Sequence, residues 1–566
     1  MPCDVFSVEP VLRFLNTERG NTEMSWECQY VLLMWSAQLV MVPFAFGVVC
    51  ETKGDRAGLD VIGELVRTCK DLLRSASKSR DMAAVCLGRL LTRHDMGDAL
   101  VEFGAWAERH LATEDPLSSP SVSRVGQFLL PGISLAISTI FKSGKADDTT
   151  VRGLVTRFVP IAVGLYDSAG CACNPLVRKL CMKIVQRGAT LVITARDVNL
   201  EDDDLEELLG AAVVTLLSGL GDRDTIVRWS AAKGVGRLAA KLQTEFVDQL
   251  LDSILERNLS DVSTGEDAWH GGCLAVAELA RRELIESSRV DDLVPVVRIG
   301  LEYDIRRGYT SVGTNVRDAA AYVCWALART QSRDKMASAL QTLAPVLMTT
   351  ACYDREVNCR RAASAAFQEC VGRLGDFPHG IDILTVADFF SVSLRVSAYV
   401  HVAPLVAAFD GYHRPFAEHL TSAKLCHWDK AVRELAAEAL ARLVPIDPEH
   451  HRIVTLKCLA ASCIKPSTQD GTHGACLALA CLLLAIREEG SGMPGPDTEG
   501  LVIDAIVCLA ETFKSAGSKS GGTLAGGENM RSALCRLIRS ACLSGVSGVT
   551  ATSSGNATDD VIQVMY

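Results

Sequence analysis

The sequence predicts an all-α fold, a HEAT/armadillo-type α-solenoid of stacked helix pairs, and three observations predict it. The first is a recurring phrase. At Asp224 an acidic residue precedes Val227-Arg228 by three positions, and a stripe of small apolar residues (Ala231, Ala232, Val235, Leu238, Ala239) follows at helical spacing. Copies start at Asp354, leading through Val357 to Arg360-Arg361-Ala362-Ala363, and at Asp429, leading through Val432-Arg433 to Ala436-Ala437 and Leu440. Looser copies follow Asn174, Asp267, Asn315 and Asp470. The second observation is the period. Register marks at 227, 270, 316 and 357 are 43, 46 and 41 residues apart, and 432 to 473 is again 41. Such a period belongs to units of two helices that bury their apolar faces only by stacking. The 75 residues between 357 and 432 leave room for one weakly marked unit. The third is composition: 48% hydrophobic residues with only 6% aromatic suits helices packed through small and branched side chains.

The form of the phrase has a physical reason. Asp or Asn at a helix start accepts hydrogen bonds from orphan backbone amides, worth about 0.5–2 kcal/mol. An alanine-rich face lets helices approach closely, and an arginine just inside the helix is placed to pair with an acidic residue of the next unit.

A solenoid grows along one axis, so 566 residues need no single core. The formal net charge of −11 argues against nucleic acid as a partner, because phosphate binding rests on clustered basic residues. Arg306-Arg307 and Arg360-Arg361 are local clusters of the kind found on helix faces and caps. Among 21 cysteines there is no CxxC pair, and Cys273, Cys324, Cys359, Cys370, Cys458 and Cys476 fall on apolar stripes. Reduced core cysteines and a cytoplasmic location are the expectation. Cys171-Ala172-Cys173 with Cys181 is the one local cluster, and no metal is expected there.

In chain order, residues 1–115 read as N-terminal helical repeats, 124–445 as the central solenoid, 446–545 as C-terminal helical repeats with Gly/Ser-rich loops, and 546–566 as a disordered tail. No secretory leader is expected in the first 27 residues. The uncharged run 31–50 has the length of a membrane span. Gln38, Pro43 and the lack of a flanking basic cluster favour a buried helix that stops near Pro43, so membrane insertion is not expected. Residues 60–75 and 81–93 read as amphipathic helices, 114–123 as a polar break, and 201–204 as an acidic helix start that complements the helix dipole.

Signals for catalysis are weak. Gly234-Val235-Gly236-Arg237-Leu238-Ala239 matches G-x-G-x-x-A, but helix rather than strand precedes it. His270-Gly271-Gly272 resembles an oxyanion loop, yet no G-x-S-x-G elbow and no P-loop exist to accompany it. No catalytic residue, cofactor or metal is predicted. Binding is the better reading, and the candidate partner-contact residues are Trp229, Trp269, His270, Tyr303, Arg306, Arg307, Arg355, Arg361, Trp428 and Lys430, aromatic and basic groups at inter-helix junctions.

Several long phrases resemble one known family. These are Ile226 to Gly234 (IVRWSAAKG), Ala268 to Ala275 (AWHGGCLA), Asn315 to Trp325 (NVRDAAAYVCW), Asp354 to Glu369 (DREVNCRRAASAAFQE) and His427 to Lys430 (HWDK). They resemble the tubulin-folding cofactor D (tubulin-specific chaperone D) family, most strongly over 222–445. The resemblance implies a non-enzymatic HEAT-repeat chaperone that binds β-tubulin. It implies that αβ-tubulin is assembled and disassembled with cofactors E and C and a small ARF-like GTPase, with co-activation of GTP hydrolysis by tubulin and an effect on microtubule organisation. Cytoplasmic location with cytoskeletal or centrosomal association follows from the same likeness. Family members are considerably longer, so this chain is truncated relative to them. The alternative within the fold is a general adaptor or karyopherin-like transport scaffold.

Overall fold

Stacked helices built on the repeated phrase carry the chain. The computed structural model describes residues 7–19, 25–43, 45–46, 57–111, 123–168, 174–195, 203–375, 377–465, 467–490, 495–517 and 527–546. The chain packs as two units, Met1–Leu284 and Ile285–Tyr566.

In the first unit the helices are α1 (Val8–Arg19), α2 (Trp26–Leu39), α3 (Ala57–Leu72), α4 (Ser79–Leu91), α5 (Gly97–Leu111), α6 (Ser123–Ser143), α7 (Thr149–Asp167), α8 (Pro175–Ile193), α9 (Asp203–Leu220), α10 (Thr225–Ala239), α11 (Thr244–Asn258) and α12 (Glu266–Ala280). Each even-numbered helix from α4 to α12 packs on the next even one, forming one layer, while α7, α9 and α11 pack on the neighbouring even helices from outside that row. This is the stacked-pair architecture of a HEAT/armadillo α-solenoid. The stripe on α10 does what its spacing predicts: Val227, Ala231, Ala232, Val235, Leu238 and Ala239 are all buried. The caps form as expected, with Asn174 accepting from the amides of Leu176 and Val177 and Asp224 accepting from Ile226.

The second unit holds α13 (Val290–Glu302), strands β1 (Ile305–Arg307) and β2 (Thr310–Val312), then α14 (Thr314–Thr330), α15 (Arg333–Tyr353), α16 (Val357–Leu374), α17 (Gly380–Val386), α18 (His413–His419), α19 (Lys430–Arg442), α20 (Leu456–Ile464), α21 (Gln469–Glu488), α22 (Pro496–Gly517) and α23 (Gly527–Leu543). Here α14 packs on α16, and α19, α21 and α23 form a second row. Helical periodicity is interrupted between 375 and 430, where the repeat signal was weak. Short pieces and three wide π-helical turns, Ala398–Val402, Leu420–Lys424 and His451–Thr455, are associated with this stretch and the segment after α19.

The segment after Tyr303 is an antiparallel hairpin with register Ile305↔Val312, Arg306↔Ser311 and Arg307↔Thr310. Gly308, at φ +64°, supplies the left-handed residue that a two-residue turn requires.

The apolar run at 31–50 is only partly helical. Helix α2 stops at Leu39, buries Leu33, Ala37 and Leu39 completely, and is followed by a turn whose carbonyls at Val40 and Val42 are held by Arg93 Nη1 at 2.8 and 2.6 Å. Residues 47–50 lie outside the described set, as do 1–6, 112–122 with most of the polar break, 171–173, 201–202 and the tail from 547. Among the described residues α21 is the helix long and apolar enough to cross a membrane; it is two-thirds buried inside the fold. Cys273, Cys324, Cys359, Cys370 and Cys476 are buried fillers as predicted, whereas Cys458 is exposed because it lies on the outer face of α20.

Candidate interaction site

Each arginine of the repeat phrase is buried and reaches forward to the start of the following element. Arg178 makes a two-pronged contact with Asp222 (Nε–Oδ2 2.8 Å, Nη2–Oδ1 3.0 Å). Arg317 does the same with Asp354 at 2.5 and 3.3 Å and also donates to the Tyr303 carbonyl at 2.6 Å. Arg360 makes no ion pair among the described residues and donates instead to the carbonyls of Val392 (2.7 Å) and Ser393 (2.6 Å). A guanidinium suits this position because its five donors form a planar fork and its charge persists when buried.

The other two arginines share a fuller motif. Arg228 donates from Nη1 to Asp267 at 2.6 Å and from Nε to His270 Nδ1 at 2.8 Å. Arg433 donates from Nη1 to Asp470 at 2.8 Å and from Nε to His473 Nδ1 at 3.1 Å. Both histidines therefore accept at Nδ1 and are neutral. Burial, reinforced by the adjacent arginine, pushes their pKa values down, to about 3 for His270 and about 4 for His473. The glycine after each histidine has a packing role: a Cβ on Gly271 would strike the carbonyl oxygen of Leu220, and one on Gly474 that of Leu425. The His-Gly-Gly tripeptide is thus a helix-contact motif, and His270 has no free nitrogen pair poised for general-base work.

Of the ten residues chosen from sequence as partner contacts, three are interior. Trp269 is fully buried with its Nε1 donating to the Asp261 carbonyl at 2.8 Å; His270 and Tyr303 are buried as well. Their size and polarity serve internal packing and leave no surface for a partner. Trp229 is half-buried under Lys233. The remaining six lie in the second unit. Four gather at one junction: Arg306 pairs with Asp470 at 2.6 Å, Arg355 lies 4.9 Å over the Trp428 ring, and Lys430 follows two residues later, 2.8 Å from Asn529 Oδ1. Arg307 is exposed on the hairpin. Arg361 stands apart, 4.8 Å over Phe389 and 2.9 Å from Ser393 Oγ.

Two features escaped sequence reading. A cavity of about 490 Å³ opens beside the hairpin, walled by Arg306, Asp304, Asp354, His419, Lys424 and Trp428 among others. No repeat phrase contains Lys424, and only the π-helical turn brings it inward. The second feature is an apolar surface around Arg361: Phe390 is 76% and Leu394 73% exposed, with Val396 and Ile381 also exposed nearby in sequence. The segment carrying Phe390 and Leu394 is anchored, since Arg360 holds the carbonyls of 392 and 393 and Asp388 accepts from the Ser391 amide at 2.7 Å. Apolar side chains held outward in this way mark an interaction surface. Its signal in sequence, Phe389-Phe390 next to Leu394 and Val396, resembles ordinary core and is distinguished only by the structure.

The fold and these surfaces define a class, a helical-repeat scaffold with an anchored apolar surface. Two family models identify the lineage: tubulin-specific chaperone D-like ARM repeats match 194–381, and the tubulin-specific chaperone D-like ARM repeat matches 1–111. The chain belongs to the tubulin-specific chaperone D-like family. It is 29% identical to tubulin-specific chaperone D of Dictyostelium discoideum over 94% of this chain and 39% of that protein. It is 26% identical to tubulin-folding cofactor D of Schizosaccharomyces pombe over 78% of this chain and 40% of that protein. The chain thus spans about two-fifths of the length of these relatives. A solved karyopherin, Kap121p bound to the SUMO protease Ulp1p, is similar at 12% identity with a TM-score of 0.44, covering 99% of this chain and 56% of that one.

Proposed function

We propose that this chain is a non-enzymatic tubulin chaperone that binds β-tubulin and takes part in assembly and disassembly of the αβ heterodimer. Membership of the chaperone D-like family is the observation that carries the reading. The anchored apolar surface at Phe390 and Leu394, flanked by Arg361 and Arg395, is the proposed contact, where apolar burial supplies affinity and the arginines favour an acidic partner. Cofactors E and C and a small ARF-like GTPase are proposed as further partners, with co-activation of GTP hydrolysis by tubulin as the joint outcome. Cytoplasmic location with cytoskeletal or centrosomal association belongs to the same reading. The solenoid likeness to karyopherins concerns fold alone, and no observation favours a transport role.

The test is capture of purified β-tubulin by the full 566-residue chain and by Phe390→Ser/Leu394→Ser. Capture by the native chain that weakens at least about tenfold in the double variant, with helicity unchanged, supports the proposal. Absence of capture by the native chain refutes the β-tubulin reading, and equal capture by both refutes the surface.

A further inference from the structure

The cavity beside the hairpin holds polar groups that the fold leaves unmatched. Most of its charges are already paired. Arg317 is held by Asp354 (2.5 Å), Arg306 by Asp470 (2.6 Å), Arg298 stands 3.9 Å from Glu302, and His427 Nε2 lies 3.3 Å from Asp304 Oδ2. Lys424 is different: it is 8% exposed, lines the cavity, and its ammonium makes no hydrogen bond or ion pair among the described residues. Around the same space the Nε1 of Trp428, the Nε2 atoms of His419 and His427 and the Oδ1 of Asp304 are buried without a hydrogen-bond partner, Oδ1 standing 3.9 Å from Arg317 Nη1. Buried polar atoms in folded proteins are nearly always satisfied, so a cluster of unmet ones around one space points to a polar occupant. The wide turn Leu420–Lys424, closed by the Leu425 amide on the Leu420 carbonyl at 2.9 Å, is the local device that turns the lysine inward.

The unmet groups specify the occupant's chemistry. Burial lowers the pKa of Lys424 while Asp354 and Asp304 near it act the other way, and an amine without a hydrogen-bond partner beside an indole N–H calls for an anion with acceptor oxygens. Asp304 adds a requirement: burial alone would raise its pKa, yet the neighbouring His427, Ser311 and Arg317 lower it, so its Oδ1, which no hydrogen bond engages, accepts. The occupant must therefore carry an O–H as well as oxyanion oxygens. A protonated phosphate has both; sulfate and carboxylates at neutral pH lack the O–H. We infer that this cavity in the second unit binds a phosphate group in its protonated form, with Lys424 and Trp428 donating to its oxygens and Asp304 accepting from its P–OH. The assignment stands on the cavity alone and is independent of the tubulin reading.

Titration calorimetry on the full chain at fixed ionic strength tests it with inorganic phosphate, O-phosphoserine and sulfate. Saturable binding of inorganic phosphate identifies a free-phosphate site, and binding of O-phosphoserine alone identifies a monoester site; sulfate is expected to bind at least about tenfold more weakly than either. Lys424→Met and Trp428→Phe are each expected to weaken phosphate binding about tenfold or more, and the second keeps an aromatic ring beneath Arg355 so that folding is preserved. Asp304→Asn is expected to gain sulfate binding, a change that misfolding would not produce. Absence of binding by both phosphate probes, sulfate binding equal to phosphate, or unchanged affinity in Trp428→Phe overturns the inference.

Discussion

Arg433 donates its Nε proton to Nδ1 of His473 across 3.1 Å, and Arg228 does the same to His270 across 2.8 Å. An imidazole that accepts from a guanidinium cannot take a proton there without losing the bond and facing a like charge. Both folded-state pKa values are depressed below the ordinary value near 6.5. Above that value neither state binds the proton and stability is full. Below it the unfolded chain binds protons that the folded chain refuses, so stability falls with pH, down to about 4 for His473 and about 3 for His270. Each histidine contributes a slope approaching about 1.4 kcal/mol per pH unit within its window. Urea unfolding between pH 7 and 5 is expected to show this decline, and His473→Gln to flatten it by about one proton; an unchanged slope in that variant would contradict the assignment.

Replacing Gly474 or Gly271 with alanine is expected to cost stability, because the added methyl meets backbone carbonyls that cannot swing aside. A loss of about 1–3 kcal/mol is the scale for overpacking. Gly210→Ala on α9 is the control: open space surrounds it, so the change is expected to be neutral or stabilising by up to about 1 kcal/mol.

Arg178→Met leaves the Asp222 carboxylate buried without its counter-charge, faced by the Asp224 amide at 2.8 Å and the Tyr166 hydroxyl at 3.4 Å. Breaking a buried pair from one side costs about 3–5 kcal/mol. The exposed pair Arg13–Glu9 on α1 offers contrast, where Arg13→Ala is expected to shift stability by less than about 1 kcal/mol. Equal effects at both sites, measured by urea denaturation, would mean that burial of the arginines is not what makes them structural.

The hairpin arginines separate stability from partner capture. Arg306 is tied to Asp470 and to the Gly308 carbonyl at 3.0 Å, so Arg306→Glu places like charges together and is expected to lower Tm. Arg307 is exposed on the same hairpin. Arg307→Glu is therefore expected to leave Tm unchanged while slowing β-tubulin capture, more at low salt than at high salt. Normal capture by that variant would remove Arg307 from the candidate contacts.

The repeat was legible because it is written locally: caps at Asn174 and Asp224 and the stripe on α10 need only neighbours in sequence. The forward pairing of the arginines was readable as a possibility, since acid and base recur at fixed intervals. Burial of Trp269, His270 and Tyr303 was not, because an aromatic residue at a helix junction reads alike whether it faces a partner or the adjoining repeat. Lys424 was invisible for a different reason. Its placement depends on a π-helical turn, which breaks the very periodicity used for reading, and on a cavity assembled from five separate segments. The exposed surface at Phe390 and Leu394 was hidden likewise, since apolar residues in sequence say nothing of which way they point.

The forward reach of the buried arginines gives synthesis of the chain a direction. Arg178 leaves the ribosome 44 residues before Asp222, and Arg317 and Arg433 each precede their aspartates by 37. At about 5–20 residues per second, each guanidinium waits roughly 2–9 seconds for its counter-charge. During that interval the newest helix pair carries a cation whose burial is not yet compensated, so it stays hydrated and its layer stays open. The growing chain thus closes one repeat behind the point of synthesis, and the last repeat made at any moment is the one most exposed to proteases and to holdase chaperones.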